Sequence, residues 1–336
     1  MKVGLVYDPD YLLTGETEER SHVYECKVRM RRAIESALCA NGHHVVLIAA
    51  DDEIIGRLRE ARIDVVFNVS SGISGPSRQS YVPAILERLS IPYTGSGVLS
   101  LTVGLDKPTA KKLFVYAGIP TPNFQLFCHE NDELDPQLRF PLLIKPSREG
   151  SSLGITAESL AYTEAELREA VKKIILHYRQ PALVEEFLEG REFTVGILGN
   201  EKPIILPIRE IGLPNLSTGY KAFRTFKSKI EGQYLGEDVC PAPLPWNQAE
   251  AVRSVALAAY RAINCCDFAR VDIRLDAREV PHVLEINTLP ELDPTSGSFV
   301  PMAVAGGFTY EALIETILQC ACERYDLGAD RMCEAE

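Results

Sequence analysis

The chain has 336 residues, 46% of them apolar and 24% charged, with a net charge of −12. That length is enough for two or three domains with cores of their own, and the composition is that of a globular protein. The negative charge argues against a nucleic-acid backbone or an anionic membrane as partner, and no apolar run nears the ~20 residues of a membrane span. Met1 to Tyr7 is too short and too quickly polar to read as a secretory signal. Nine cysteines, an odd number without paired spacing, point to reduced thiols in a cytoplasmic protein.

In chain order, Val3–Tyr7 reads as a strand, and Val23–Ala40 has helical periodicity that stops at Asn41-Gly42. His44–Ala49 and Val65–Val69 read as strands and Tyr81–Leu89 as a helix. This alternation predicts an N-terminal, doubly wound parallel α/β domain over residues 1–106. A proline-rich boundary at Gly118 to Pro122 opens the strands of a central unit, 107–190, with a helix over Glu164–His177 and a strand over Ala182–Phe187. From Arg191 the pattern is strand-rich, then irregular from Ile211 to Pro245, then helical from Gln248 to Ile263, within a third unit, 191–336. Repeats and low-complexity tracts are lacking.

Within the central unit, the apolar run Phe140 to Ile144 delivers Lys145, and the turn Pro146-Ser147-Arg148-Glu149-Gly150-Ser151-Ser152-Leu153-Gly154 follows. Backbone N–H groups and two hydroxyls in such a turn suit polyphosphate oxygens, and the lysine adds a point charge. The lysine precedes the glycines, so this is not a Walker loop. A polar hairpin loop beside a surface lysine fits the same letters.

Ala269–Leu275 alternates strictly, a turn spans Asp276 to Glu279, and Pro281–Asn287 alternates again. Period two places Arg270, Asp272 and Arg274 on one face, and Glu285 and Asn287 on one face. Paired as a hairpin, the strands bring Asp272, Glu285 and Asn287 together as oxygen ligands suited to Mg²⁺, with Arg270 beside them for a phosphoryl group. Ordinary cross-strand charge pairs on a solvated sheet are the competing reading.

Six segments together carry a resemblance. They are Ile91-Pro92-Tyr93-Thr94-Gly95-Ser96-Gly97, Leu105-Asp106-Lys107, Ile144 to Ser152, Glu192-Phe193-Thr194-Val195, Arg270-Val271-Asp272 and Glu285-Ile286-Asn287-Thr288. In this order and spacing the chain resembles the D-alanine–D-alanine ligase branch of the ATP-grasp superfamily, from about residue 60 to 320 and more weakly to the N-terminus. The resemblance implies an α/β fold in which the N-terminal doubly wound domain precedes a two-domain ATP-grasp fold. It implies an ATP-dependent carboxylate–amine ligase acting through an acyl phosphate, with ATP and two Mg²⁺ ions (Mn²⁺ as a substitute). Small amino acids or carboxylates would be the substrates, and a homodimer the assembly.

Carried over residue by residue, the resemblance implies that Lys107 and Lys145 hold the phosphates while Ser151 and Ser152 close over them. Glu185, Glu186, Phe187, Leu188 and Leu284 would contact adenine, and Glu192 the ribose. Asp272, Glu285 and Asn287 would hold the metal ions, and Arg270 would stabilise the transferred phosphoryl group. Leu216 to Tyr234 is polar and basic and reads as a lid, with Phe223 and Lys229 (or Lys227) as its nucleotide contacts. Glu25 falls where the family binds the first amino group, although a solvated helix residue fits equally. Ser298 matches the serine that holds the acceptor carboxylate.

Three departures touch the substrates. The family's His-Gly turn is replaced by Ser70-Ser71-Gly72. Ile230 follows Lys229 where a tyrosine is usual, and Tyr234 is the nearest substitute. After Thr288 the chain reads Leu289-Pro290-Glu291-Leu292-Asp293-Pro294, two residues longer than the family pattern, with Glu291 in place of a small residue. The added carboxylates favour a cationic or amine acceptor. A relative joining an amino acid to a non-alanine substrate (including imine formation of the mycosporine type) and a non-catalytic nucleotide-binding homologue are the alternatives.

Overall fold

The computed structural model describes residues 1–10, 18–150, 152–213 and 237–327, without the side chains of 18–23. It is a mixed α/β fold built on three sheets. In the first, β1 (Lys2–Tyr7) is flanked by β2 (His44–Ala49) and β3 (Val65–Asn68), all parallel in the order β2-β1-β3. Val3, Leu5, Val65, Val66 and Phe67 are fully buried, as strands covered on both faces require. Helices α1 (Glu18–Ala40), α2 (Ile54–Ala61), α3 (Tyr81–Leu89) and α4 (Val98–Leu105) belong to this half. The first helix stops where expected, because Gly42 takes φ +82, a conformation glycine adopts without strain. The short α2 and α4 were not legible: α4 (Val98-Leu99-Ser100-Leu101-Thr102-Val103-Gly104-Leu105) has almost no polar face to give a helical period.

Next comes α5 (Lys107–Tyr116), whose N-cap Asp106 accepts from the Thr109 amide at 3.0 Å with Pro108 in the first turn. It leads into an antiparallel sheet of β4 (Phe124–Phe127), β5 (Leu142–Pro146), β6 (Leu160–Ala161) and β7 (Ala182–Glu186), ordered β4-β7-β5-β6. Helix α6 (Glu164–Tyr178) covers it with Leu167, Ala170, Val171 and Ile174, at helical spacing.

The third sheet contains β8 (Glu192–Leu198), β9 (Ile204–Ile205), β10 (Arg209–Glu210), β11 (Phe268–Leu275) and β12 (Pro281–Asn287). Its order is β10-β8-β11-β12, with β9 paired to β8, and all pairings are antiparallel. Helix α7 (Trp246–Ala262) packs on it, starting two residues before the expected Gln248. The chain then forms α8 (Phe299–Ala305) and α9 (Tyr310–Arg324). Ile314, Ile317 and Leu318 of α9 are fully buried in one core with Ile34 and Leu38 of α1, so the end of the chain returns to the first sheet. Each such side chain contributes about 2 kcal/mol by leaving water. Asp267 locks the return: fully buried, it pairs with Arg324 at 2.8 Å and accepts the Gly95 amide at 2.7 Å.

Beyond β1, Asp8 is buried under the Ser70-Ser71-Gly72 turn. It accepts from Ser70 Oγ at 2.5 Å, Ser71 Oγ at 3.0 Å, the Ser71 and Gly72 amides at 3.1 and 3.0 Å, and Lys27 Nζ at 2.5 Å. Burial alone would raise its pKa, but the Lys27 ammonium and these donors outweigh burial and hold it below the ordinary carboxylate range. The unfolded chain therefore binds the proton first, so this contribution is present above pH ~4 and is lost as pH falls through the lowered pKa. Asp8→Asn should cost about 2 kcal/mol at pH 7 and flatten the acid limb of stability, read by urea unfolding at pH 7 and pH 3. Equal stabilities of variant and wild type at pH 7 would contradict this.

Candidate active site

The hairpin of β11 and β12 forms the floor of a cleft. In its register Asp272 faces Glu285 and Arg270 faces Asn287, so the four side chains meet on one face. Asp272 accepts two hydrogen bonds from Arg270, Nε at 3.0 Å and Nη2 at 2.9 Å, one from Thr194 Oγ1 at 2.6 Å and one from Asn287 Nδ2 at 3.0 Å. Glu285 lies 3.2 Å from Lys107. Burial opposes its charge, yet Lys107, Lys145 and Arg270 outweigh burial and hold its pKa down to about 2. Two carboxylates and an amide offer only oxygen acceptors on one rigid hairpin, which fits Mg²⁺ and not a softer ion.

Above the floor stand the two lysines. Lys107, at the start of α5, reaches the Glu149 carbonyl as well as Glu285. Lys145 ends β5 and bonds Glu185 Oε1 across the sheet at 2.5 Å. The turn after Lys145 is pinned from several sides. Glu149 accepts from Arg78 at 3.1 Å and Gln180 at 2.9 Å, and Arg148 bonds Asp106 at 2.6 Å. Ser152 takes φ +60 there. A fully buried third lysine, Lys111, was missed in the sequence: it sits 3.2 Å from Glu185 Oε2. Its signal was present, because Lys107, Lys111 and Phe114 recur at the spacing of one helix face.

Glu185 is also buried, held between Lys145 and Lys111. Its neighbour Glu186 accepts from Asn123 Nδ2 at 3.0 Å and the Arg139 amide at 2.9 Å. Phe187, Leu188 and Leu284 give the cleft apolar walls. Glu192 accepts from Arg274 Nη1 at 3.1 Å, and the Arg274 guanidinium stacks 4.5 Å from the centre of the Phe187 ring. This Arg274 link was missed because it depends on β8 and β11 being neighbours, which neither segment states alone. Lys107, Lys145, Ser152, Glu185 to Leu188, Glu192, Arg270, Asp272, Leu284, Glu285 and Ser298 all line the one cleft. It encloses about 1160 Å³ with its open mouth, room for a nucleotide and a small substrate.

The substrate end differs from expectation. Glu25 is exposed on α1 and joins no hydrogen bond or ion pair among the described residues, so the structure does not bring it to the cleft. The neighbouring turn of α1 faces inward instead. Cys26 is buried beside Glu291 and Asp293, and Arg29 pairs with Asp293 at 2.8 Å. Asp293 also accepts from the Thr295 and Ser296 amides at 2.7 and 3.0 Å, so it staples the longer loop to α1 and its charge is compensated. Glu291 lies beside Gly297 and Ser298, with Oε2 3.7 Å from where a Cβ on Gly297 would stand. With Asp272 and Glu285 it supports the charge of Arg270 against burial. Ser298 precedes α8 and lines the cleft. Ser151 and the whole Leu216 to Tyr234 stretch, with Phe223, Lys227 and Lys229, lie outside the described residues.

Two comparisons decide the family. The profile of the D-ala D-ala ligase C-terminus matches residues 113–319. The D-alanine–D-alanine ligase of Carboxydothermus hydrogenoformans is 34% identical, covering 96% of this chain and 99% of that protein. The chain belongs to the D-alanine–D-alanine ligase family. It is an ATP-dependent ligase of this type, forming a C–N bond, and ATP with Mg²⁺ is the family's general requirement. An uncharacterized protein of Sinorhizobium fredii, y4sG, is 37% identical over 88% of both chains. The fold agrees with the Bacillus anthracis D-alanine–D-alanine ligase complexed with ATP, at a TM-score of 0.74 and 24% identity over 96% of this chain and 98% of that one. It agrees equally with the VanG D-Ala:D-Ser ligase of Enterococcus faecalis, at 0.73 and 23% over 95% and 99%. Like other members this ligase family protein handles small amino acids, and no helix among its described residues is long and apolar enough to cross a membrane.

Proposed function

We propose that this ligase condenses an amino acid carboxylate with an amine through an acyl phosphate, releasing ADP and phosphate. The observation that carries the reading is the facing of Asp272 and Glu285 across one hairpin, with Arg270 and Asn287 next to them. A carboxylate does not react with an amine at neutral pH, since oxide would have to leave; phosphorylation supplies a good leaving group. Two Mg²⁺ ions held by Asp272, Glu285 and Asn287 would screen the phosphate oxygens. Lys107, Lys145, Ser151 and Ser152 hold the phosphate chain; Glu185, Glu186, Phe187, Leu188 and Leu284 frame the adenine, and Glu192 takes the ribose. Arg270 binds the donor carboxylate and supports the phosphoryl group as it moves. Lys229 and Phe223 close the site as lid residues and keep water from the acyl phosphate.

Ser298 and Glu291 define the acceptor end. Because the Asp293 charge is taken up by Arg29, Glu291 is the carboxylate that meets the acceptor, and it favours one with a positive group. A homodimer in the cytoplasm goes with the family, and the eight free cysteines among the described residues suit a reducing compartment. Phosphate release from MgATP, with D-alanine as donor and D-alanine, D-norleucine or D-lysine as acceptor, tests the reading. Release is expected to depend on an amino acid, with kcat/KM for D-lysine about tenfold above that for D-norleucine. Phosphate release that ignores every added amino acid would defeat the ligase assignment of the cleft.

A further inference from the structure

Lys111 has no part in the chemistry above, yet it is the most deeply buried lysine near the cleft, at 1% exposure. Its ammonium donates to Thr121 Oγ1 at 2.6 Å, and that hydroxyl donates to the Val283 carbonyl of β12 at 2.7 Å. The Phe124 ring lies 5.2 Å away. On its other side Glu185 Oε2 stands 3.2 Å off, ion-paired without a directed hydrogen bond. Glu185 Oε1 faces Lys145 at 2.5 Å. The order is therefore Lys111, Glu185, Lys145, cleft. Burial pushes the Lys111 pKa down to about 8 although Glu185 opposes the shift, so the ammonium is still the prevailing form at neutral pH.

The charges explain the arrangement. Lys145 and Glu185 alone sum to zero, and at this short separation the carboxylate would cancel most of the field the lysine offers to a phosphate. A second ammonium behind Glu185 returns the group to a net charge of +1, on the side of the cleft. We propose that Lys111 is a positioning residue of the nucleotide site, neutralising Glu185 from behind so that the charge of Lys145 remains available to the phosphate chain. Through Thr121 it also ties the nucleotide sheet to the metal-binding hairpin. The inference rests on the reading that the Lys145 cleft takes a nucleotide.

Calorimetric titration of the full chain with MgADP and with adenosine tests it, because only the first carries phosphates. The quantity to read is the ratio of the two affinities. Lys111→Met is expected to lower that ratio about tenfold, with adenosine binding little changed. The double variant Lys111→Met/Glu185→Gln removes both charges and is expected to return the ratio to within about threefold of wild type. Thr121→Val keeps the ammonium but loosens it, lowering the ratio by about threefold, and serves if Lys111→Met fails to fold. An unchanged ratio in the folded single variants overturns the proposal, as does a double variant no better than Lys111→Met. A wild-type protein that binds no MgADP removes the nucleotide reading itself, and the proposal with it.

Discussion

Glu285→Gln lowers phosphate release from MgATP by about a thousandfold or more, while adenosine binding stays within about threefold of wild type. Glutamine keeps the shape of the side chain and one acceptor oxygen, so the half-buried site is not emptied. What goes is the negative charge that Lys107, Lys145 and Arg270 hold fully ionised in the folded protein. A hard divalent ion binds a neutral amide far more weakly than a carboxylate, and its counterpart Asp272 is already shared among Arg270, Thr194 and Asn287. Lys107 also loses its pairing with Glu285, so far-UV circular dichroism must first show that the variant is folded. Turnover by folded Glu285→Gln within about tenfold of wild type would mean that the hairpin is not the metal site.

Arg270→Lys should be the next most damaging change, lowering kcat by about a hundredfold with little change in MgADP affinity. The substitution keeps the charge and removes the fork. Arg270 spans both Asp272 oxygens, at 3.0 and 2.9 Å, and so presents its guanidinium in one orientation toward the cleft. A lysine at this position is a point charge on a flexible stem, free to follow Asp272 or Glu285 instead of the reacting phosphoryl group. The loss therefore falls on the chemical step, where charge develops, more than on ground-state binding. An equal fall in MgADP affinity and kcat would mark Arg270 as a ground-state anchor only. A kcat within about threefold of wild type would remove it from the reaction.

Both predictions concern residues that were legible from alternation alone. In β11 and β12 the side-chain period is two and the turn between them is short, so one local pattern settles which residues share a face and which strand they pair with. The phosphate turn after Lys145 was legible for a similar reason: a buried strand, a lysine and a glycine-rich turn are adjacent in the chain. The strands and long helices of the first sheet followed from apolar periodicity, with ends set by Asn41-Gly42 and the Thr163 cap. The short α2 and α4 and the two C-terminal helices escaped, since eight or fewer residues, or a helix buried on most sides, leave little period to read.

Glu25 shows the limit at the substrate end. The family spacing pointed to it, but the phase of α1 is set by what the helix packs against, and that packing turns Cys26 and Arg29 toward Glu291 and Asp293. Likewise the longer loop after Thr288 was visible as two added residues, whereas its stapling to α1 through Asp293 was not.

The sequence by itself determined the family, the hairpin that gathers Asp272, Glu285 and Asn287, and the two lysines of the nucleotide cleft, because each is written in a short run whose geometry is local. Only the tertiary structure decided which charges meet across elements. Lys111 behind Glu185, Arg274 on Glu192, Lys27 on Asp8 and Arg29 on Asp293 each join segments 19 to 264 residues apart. Such pairs depend on burial and on which sheets lie together, and the energy of a charge pair is fixed by that surrounding, not by the letters of its two members.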